Sequence, residues 1–271
     1  MDMDFRTIVD VPLPDFRIDP CESLLFVGSC FADAIGQRFL EEKFRAIVNP
    51  YGVMYNPASI LHTVQRLVAD VADLKSVKVA FLTLGTNHVY RLKETGEIVD
   101  NCQKRPQTLF QEEALSVDEC ADYLQQTVDV LHQQNPEMHI VLTVSPIRYR
   151  KYGYHGSQLS KATLLLATQK VDADYFPAYE IVNDELRDYR FYAEDMIHPS
   201  GQAVEYIWER LVDTYFSDDA KHYLEEWRPL KEALGHRPFN AESEEYRLFM
   251  QKTREKIAAL SKKYPNFAEL I

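Results

Sequence analysis

The chain has 271 residues, 46% of them apolar, which is enough for one domain with a sizeable core plus an appendage. Its net charge of −12 would repel a phosphate polyanion, so we expect no binding to nucleic acid or to an anionic membrane surface. The acidic N-terminus is not a secretion signal, and no apolar stretch approaches the roughly 18 residues of a membrane span. We therefore expect a cytoplasmic protein without a membrane span.

The elements alternate between strands and helices along the chain. In order, the patterns predict strand Leu24–Val27, a helix after Ser29, strand Ala46–Val48, helix Pro57–Val68, strand Val77–Leu84, hairpin Tyr90–Val99, helix Ser116–Gln133, strand Met138–Val144, loop Arg148–Gly156, helix Gln158–Lys170, strand Ala173–Ala178, loop Tyr189–Pro199 and helix Ser200–Tyr215. The strands are continuous apolar runs, which is typical of a parallel sheet with helices on both faces.

The composition changes after Phe216. Two charged helical stretches follow, Asp218–Leu234 and Ala241–Lys263, and a short Gly- and Pro-containing segment joins them. We predict an α/β three-layer sandwich with a parallel central sheet over residues 1–216. Residues 217–271 are predicted to form a helical hairpin packed on that domain.

The cysteines and histidines show no metal or disulfide spacing. The four cysteines are Cys21, Cys30, Cys102 and Cys120. Cys102, His88 and His155 are the remaining candidates for metal ligands, and their separations fit no ligand motif. We expect reduced thiols, no metal and no cofactor.

Polar residues follow three of the predicted strands. Ser29 follows the first, Gly85-Thr86-Asn87-His88 follows Val77–Leu84, and Ser145 follows Met138–Val144. Ligand sites of open parallel sheets lie beyond the carboxyl ends of the strands, so we expect these three loops at one rim. Ser29 begins a helix at this rim. It is either a nucleophile whose backbone N–H faces an oxyanion or simply the cap of that helix.

A candidate base lies far downstream, in Asp195-Met196-Ile197-His198. A carboxylate three residues before a histidine can fold back onto the imidazole Nδ1–H, which fixes the tautomer for proton transfer. The alternative is that Asp195 caps a turn and His198 is an ordinary loop residue.

The chain order of these motifs resembles the SGNH, or GDSL-like, hydrolases, and Gly28-Ser29-Cys30-Phe31-Ala32 resembles the signature of the GSCFA family within that group. Further stretches are similar to the same family: Asn49-Pro50-Tyr51-Gly52, Tyr55-Asn56-Pro57, Thr143-Val144-Ser145-Pro146 with Arg148, Leu159-Ser160-Lys161-Ala162-Thr163, Phe176-Pro177-Ala178-Tyr179-Glu180 and Asp188-Tyr189-Arg190-Phe191-Tyr192. The resemblance covers essentially the whole chain and implies an SGNH-like, flavodoxin-like fold.

Carried over residue by residue, the resemblance implies Ser29 as nucleophile, His198 as general base and then acid, and Asp195 as the residue that orients the histidine. The backbone N–H groups of Ser29 and Gly52 and the side chain of Asn87 are the implied oxyanion donors. The implied function is a serine hydrolase or acyltransferase acting on a small-molecule or glycan ester.

Two features depart from the superfamily pattern. The usual first block reads Gly-Asp-Ser, whereas Ser29 directly follows Gly28, and His88 stands where the third block has aspartate. The neighbouring Cys30 offers a cysteine–histidine alternative, since a thiol at a helix N-terminus can be activated. We expect instead that residue 30 points into the packing, as buried cysteine usually does.

Other residues are candidates for substrate contacts. Arg148 is placed to bind a carboxylate or phosphate or to form a surface ion pair, His88 is a candidate pocket-wall residue, and Lys161 has no partner readable from the sequence. Tyrosines of the loop after Ser145 form a lid or cover the core: Tyr149, Tyr152 and Tyr154.

A second functional hypothesis is a catalytically silent binding module that holds a small ligand or a protein partner in the same cleft. The sequence does not indicate an oligomeric state.

Overall fold

A parallel sheet forms the centre of the molecule in the computed structural model, which describes residues 6–70, 74–264 and 267. The strands are β1 Ser23–Gly28, β2 Arg45–Val48, β3 Val79–Leu84, β4 His88–Leu92, β5 Ile98–Val99, β6 Phe110–Ala114, β7 His139–Val144 and β8 Asp174–Tyr175. The central sheet has the parallel order β2-β1-β3-β7-β8, and β5-β4-β6 form a small antiparallel sheet beside it. With β4–β6 set aside as an insertion, this is the flavodoxin-like strand order.

Helices cover both faces of the central sheet. They are α1 Cys30–Glu41, α2 Pro57–Asp70, α3 Val117–Gln134, α4 Gly153–Thr168, α5 Ala178–Glu180 with the π-helical turn Ile181–Leu186, α6 Gly201–Tyr215, α7 Asp218–Gly235 and α8 Glu244–Lys263. One layer contains α1 and α6, and the other contains α2, α3 and α4. The predicted three-layer α/β architecture is therefore confirmed.

Alternate strand residues face opposite layers. Phe26 and Phe81 stack with ring centroids 5.0 Å apart and belong to the apolar cluster formed with α1 and α6. Leu25 and Leu82 belong to the cluster formed with α2, α3 and α4. Both faces of the strands are therefore buried, which explains why they appear in the sequence as continuous apolar runs.

The C-terminal helices pack against the end of α1. The Tyr223 hydroxyl donates to the Glu42 carbonyl at 2.8 Å, and the Trp227 indole N–H donates to the Glu41 carbonyl at 3.2 Å. Both aromatic side chains are buried, and α7 and α8 contribute to the same apolar cluster as α1 and α6. A division of the chain at residue 216 stays a prediction.

The structure differs from the sequence-based elements in several places, one of which is the helical segment 178–186, which was not predicted. Helix α4 begins at Gly153 rather than Gln158, so part of the predicted tyrosine-rich loop is helical. Strand β8 is only two residues long, within the predicted Ala173–Ala178 strand. Strand β6 was not predicted, because most of its side chains are polar or exposed and it carries no apolar strand pattern.

Candidate active site

A glycine turn ends β1 and fixes the start of α1. Gly28 has φ +146, its N–H donates to Asn49 Oδ1 at 2.8 Å, and its carbonyl accepts from the Met54 N–H at 2.8 Å. The next N–H, of Ser29, donates to the Thr83 carbonyl of β3 at 3.1 Å. These bonds hold the backbone against the neighbouring strand and set which side chain leaves the turn towards solvent.

Ser29 is the N-cap of α1. Its hydroxyl accepts from the Phe31 N–H at 3.3 Å, and its side chain is fully buried. This is the capping role that serine commonly has at a helix start. Cys30, the first residue of α1, is partly exposed.

Asp195 and His198 form a tight local pair. Asp195 Oδ2 lies 2.6 Å from His198 Nδ1, and Asp195 Oδ1 accepts from the N–H groups of Ile197 at 2.9 Å and His198 at 3.0 Å. These hydrogen bonds hold the pKa of the Asp195 carboxyl at about 2. The carboxylate is therefore ionised and accepts the Nδ1–H, which leaves Nε2 as the acceptor nitrogen.

The histidine faces Cys30 rather than Ser29. Cys30 Sγ lies 3.4 Å from His198 Nε2. No hydrogen bond joins the Ser29 hydroxyl to His198 among the described residues, because that hydroxyl is turned inward to cap α1. The structure thus brings together Asp195 and His198, but the expected contact between Ser29 and His198 is not found among the described residues. Cys30 packs against the apolar core in part, as expected, and its thiol also reaches His198.

The environment of Cys30 keeps the thiol protonated. Burial raises the pKa of Cys30, while a hydrogen bond from the Tyr55 side chain, the backbone N–H of Cys30 itself and the charge of Lys161 lower it in part. Nearby Asp33 raises it further. A nucleophilic thiolate at this position therefore requires that a base take the proton, and His198 Nε2 is the base within reach.

The three predicted oxyanion donors have other partners. The Ser29 N–H donates to Thr83, the Gly52 N–H donates to the Asn49 carbonyl at 2.8 Å, and Asn87 Nδ2 donates to the Leu115 carbonyl at 2.7 Å. Asn87 is also buried, and it directly precedes β4 of the small sheet. The N–H of Cys30, by contrast, has no acceptor other than its own thiol among the residues that the structure describes.

Arg148 supports the loop that carries the histidine. Its Nη1 donates to the Met196 carbonyl at 3.0 Å, and its backbone N–H donates to the Ile197 carbonyl at 3.1 Å. Tyrosine rings surround its guanidinium, with centroids 4.4 to 5.6 Å away: Tyr154, Tyr189 and Tyr192. Arg148 has no carboxylate partner in the described part of the chain, so the expected surface ion pair is not found, and its contacts favour a positioning role.

His88 belongs to an aromatic cluster at the edge of the small sheet. Its ring stacks on Tyr152 with centroids 3.8 Å apart, and its Nδ1 lies 3.6 Å from a carboxylate oxygen of Glu112. Burial lowers the pKa of His88. Nothing among its contacts identifies a substrate, and its role as a pocket-wall or substrate-binding residue stays a prediction.

Two residues near the site were given no part in the catalytic centre from the sequence. Lys161 is buried and donates to main-chain carbonyls, and the Tyr149 hydroxyl is buried without a hydrogen-bond partner among the described residues. Tyr149 approaches so closely that a Cβ on Gly85 would lie 2.7 Å from its hydroxyl. In the usual first block, Gly-Asp-Ser, the serine follows the glycine by two residues. Cys30 follows Gly28 by two residues, so this spacing indicates Cys30 as the counterpart of that serine.

No group of three or more His, Cys, Asp or Glu side chains within residues 6–70, 74–264 and 267 is placed to hold a metal ion. In the same ranges, every helix is too short or too polar to cross a lipid bilayer. All four cysteines are free.

Several solved structures are similar to the chain at low identity. One from Streptococcus pneumonia, described as a platelet activating factor, is 17% identical over 72% of this chain and 84% of its own, with a TM-score of 0.46. A GDSL-like lipase, so described, from Parabacteroides merdae ATCC 43184 is 12% identical over 74% and 98%, with a TM-score of 0.47. A carbohydrate esterase family 3 protein from Talaromyces cellulolyticus is 9% identical over 70% and 94%, with a TM-score of 0.39. Similarity at this level carries no argument about activity.

No curated protein matches the chain. The profile of the GSCFA family matches residues 23–74 and 71–211, and that of the C-terminal domain of GSCFA domain proteins matches residues 227–269. The match includes the Gly28 turn, Cys30 and the Asp195–His198 loop. The chain belongs to the GSCFA family.

Proposed function

We propose that the protein is a thiol-dependent acyl hydrolase or acyltransferase that acts on a small-molecule or glycan ester. The observation that carries this proposal is the line of three side chains in which Cys30 Sγ lies 3.4 Å from His198 Nε2 and His198 Nδ1 lies 2.6 Å from Asp195. A nucleophile, a base and a residue that orients the base are the parts that covalent acyl transfer needs.

The reaction follows from this geometry. As Cys30 Sγ bonds to the ester carbonyl carbon, its proton moves to His198 Nε2 and the carbonyl electrons move to oxygen. The N–H of Cys30, at the positive end of α1, bonds only to its own thiol among the described residues and would donate to that oxyanion once the thiol has reacted. The imidazolium then protonates the leaving alcohol as the C–O bond breaks. Water or an acceptor hydroxyl, deprotonated by His198, then attacks the thioester carbonyl, the C–S bond breaks, and the imidazolium returns the proton to Cys30 Sγ.

A serine version of this centre has less support. Ser29 would have to leave its capping bond to Phe31 and come out of a fully buried position to reach His198. Cys30 needs no such movement, since it is already partly exposed and within contact distance of the base.

The test is to trap the acyl intermediate with p-nitrophenyl acetate and locate it by mass spectrometry. We expect acetylation of the peptide that contains Cys30, removed by neutral hydroxylamine as a thioester is. A Cys102→Ser variant is the control, because Cys102 is the other partly exposed thiol and lies outside the site. An acetyl group that resists hydroxylamine would point to Ser29 instead. A folded protein that is never acetylated would favour the silent binding module.

Replacing Asp195 with asparagine should reduce turnover by roughly 10² or more while leaving the loop in place. An asparagine Nδ2 would donate to His198 Nδ1, which places the imidazole proton on Nε2, facing Cys30. The base could then no longer accept the thiol proton. The measurement is kcat with p-nitrophenyl acetate, with Asp188→Asn as the control. Asp188 is an N-cap carboxylate of the short helical turn in the same segment, and it does not touch His198. Equal activities of the two variants would contradict the orienting role of Asp195.

A further inference from the structure

Lys161 is a buried cation with no carboxylate beside it. Its side chain on α4 is 2% exposed, and its Nζ donates to the carbonyls of Gly85 at 2.6 Å and Ser145 at 2.8 Å. No acidic side chain pairs with it among the described residues. A lysine in this setting loses its hydration without gaining a counter-charge, which is costly unless the charge has a use.

The two carbonyls place Lys161 at the rim where Cys30 lies. Gly85 directly follows β3 and Ser145 directly follows β7. In the register of the sheet, Gly28 of β1 pairs with Thr83 of β3, and the Ser29 N–H donates to the Thr83 carbonyl. Adjacent strands lie about 4.8 Å apart, so the segment that carries Cys30 leaves the sheet beside the segment that carries Gly85.

A second connection runs through Tyr55. The N–H of Gly85 donates to the Tyr55 carbonyl at 2.8 Å, and the Tyr55 side chain hydrogen-bonds Cys30. Lys161, Gly85, Tyr55 and Cys30 therefore form one contiguous group. Of the three protons on a lysine ammonium, two are donated to carbonyls, and the third is not committed to any described residue.

We propose that Lys161 is a positioning residue of the Cys30 centre, whose ammonium, fixed against the ends of β3 and β7, stabilises the negative charge that Cys30 acquires when its proton leaves. This inference rests on the proposed function for the use of that charge. Burial and Asp33 both oppose a thiolate at Cys30, and the hydrogen bonds from Tyr55 and from the backbone N–H of Cys30 offset them only in part.

The titration behaviour of the two groups agrees with this arrangement. Burial lowers the pKa of Lys161 to about 7, and negative charge on Cys30 raises it, while the charge of Lys161 lowers the pKa of Cys30. Each ionised form therefore favours the other. The other titratable groups facing the pair are His198, Asp33, Tyr55, Tyr149 and Tyr179.

The test measures the thiol itself. The rate of alkylation of Cys30 by iodoacetamide is followed against pH in the wild type, in Lys161→Met and in Lys170→Met, with Cys102 as the internal reference. Lys170 is an exposed lysine just beyond the end of α4, ion-paired to Asp118. In Lys161→Met we expect alkylation of Cys30 at and below about pH 7 to be about tenfold slower than in the wild type, with the two rates converging at higher pH, where Lys161 has itself lost its proton. Lys170→Met should leave the profile unchanged.

A purely structural role would give a different result. If Lys161 only ties β3 to β7, Lys161→Met would lower the melting temperature while the Cys30 alkylation profile stayed that of the wild type, and this would overturn the proposal. Lys161→Gln provides a second variant if the methionine variant does not fold, because its amide still donates to a carbonyl without carrying charge. If neither folds, carboxymethylation of wild-type Cys30 should raise the Lys161 pKa measured by NMR, and an unchanged value would overturn the proposal. Alkylation does not require turnover, so a failure of the acyl-transfer proposal would be seen separately.

Discussion

Replacing Cys30 with alanine is expected to reduce ester turnover to background, on the order of 10³-fold or more, whereas Ser29→Ala should keep most of the activity. The thiol is the group within contact distance of His198 Nε2, and alanine leaves nothing at that point to attack a carbonyl. The serine hydroxyl serves the helix instead, through its bond to the Phe31 N–H. The measurement is kcat/KM with p-nitrophenyl acetate for both variants.

The same two variants should rank in the opposite order when stability is measured, with Ser29→Ala the less stable of the two. Loss of the Ser29 cap should lower the free energy of unfolding by about 0.5–2 kcal/mol, while Cys30→Ala removes no such bond and should change it less. Urea unfolding followed by circular dichroism gives both values. An inactive Ser29→Ala beside an active Cys30→Ala would restore the serine assignment and refute the cysteine centre.

The fold was largely predictable because its strongest signals are local. Val79–Leu84 is buried on both faces, so it appears as a continuous apolar run, and such runs alternate with amphipathic helices along the chain. The start of the predicted helix at Ser116 is confirmed, and there the Glu119 side chain completes a capping box. Strand β6 was missed because it lies on a small sheet at the surface, where mostly exposed polar side chains leave no pattern.

The site was predictable only where its geometry is local. Asp195 and His198 meet because three residues of chain fold back on themselves, which the spacing alone indicates. The choice between Ser29 and Cys30 depends on the direction of the backbone after Gly28, and contacts with Asn49 and β3 set that direction.

Lys161 was beyond sequence reasoning for a similar reason. Its partners, Gly85 and Ser145, follow two different strands that come together only in the folded sheet. The partners of the predicted oxyanion donors were beyond sequence reasoning for the same reason, since whether an N–H is free depends on acceptors elsewhere in the fold. Gly52, for example, matches the glycine of the second block, but its N–H already donates within its own turn.

Gly28→Ala is expected to have the largest effect on folding of any single substitution at the site. A Cβ at this position would lie 2.1 Å from the Thr83 carbonyl oxygen, which belongs to the neighbouring central strand and cannot move without breaking the sheet. The φ of +146 adds backbone strain for any residue with a side chain. We expect a loss of at least about 3 kcal/mol, a large part of a typical net stability of about 5–15 kcal/mol, with activity lost as α1 shifts.

Gly52→Ala is the matched control for that substitution. Gly52 also has a positive φ, +89, but a Cβ there would meet nothing within 4 Å. The Gly52→Ala variant should therefore lose only about 1–2 kcal/mol of unfolding free energy, from backbone strain alone. It should retain activity, since the Gly52 N–H donates within its own turn and takes no part in the reaction. Urea unfolding of both variants isolates the steric contribution at Gly28. Equal unfolding midpoints would mean that the close approach of β1 to Thr83 does not fix the position of Cys30.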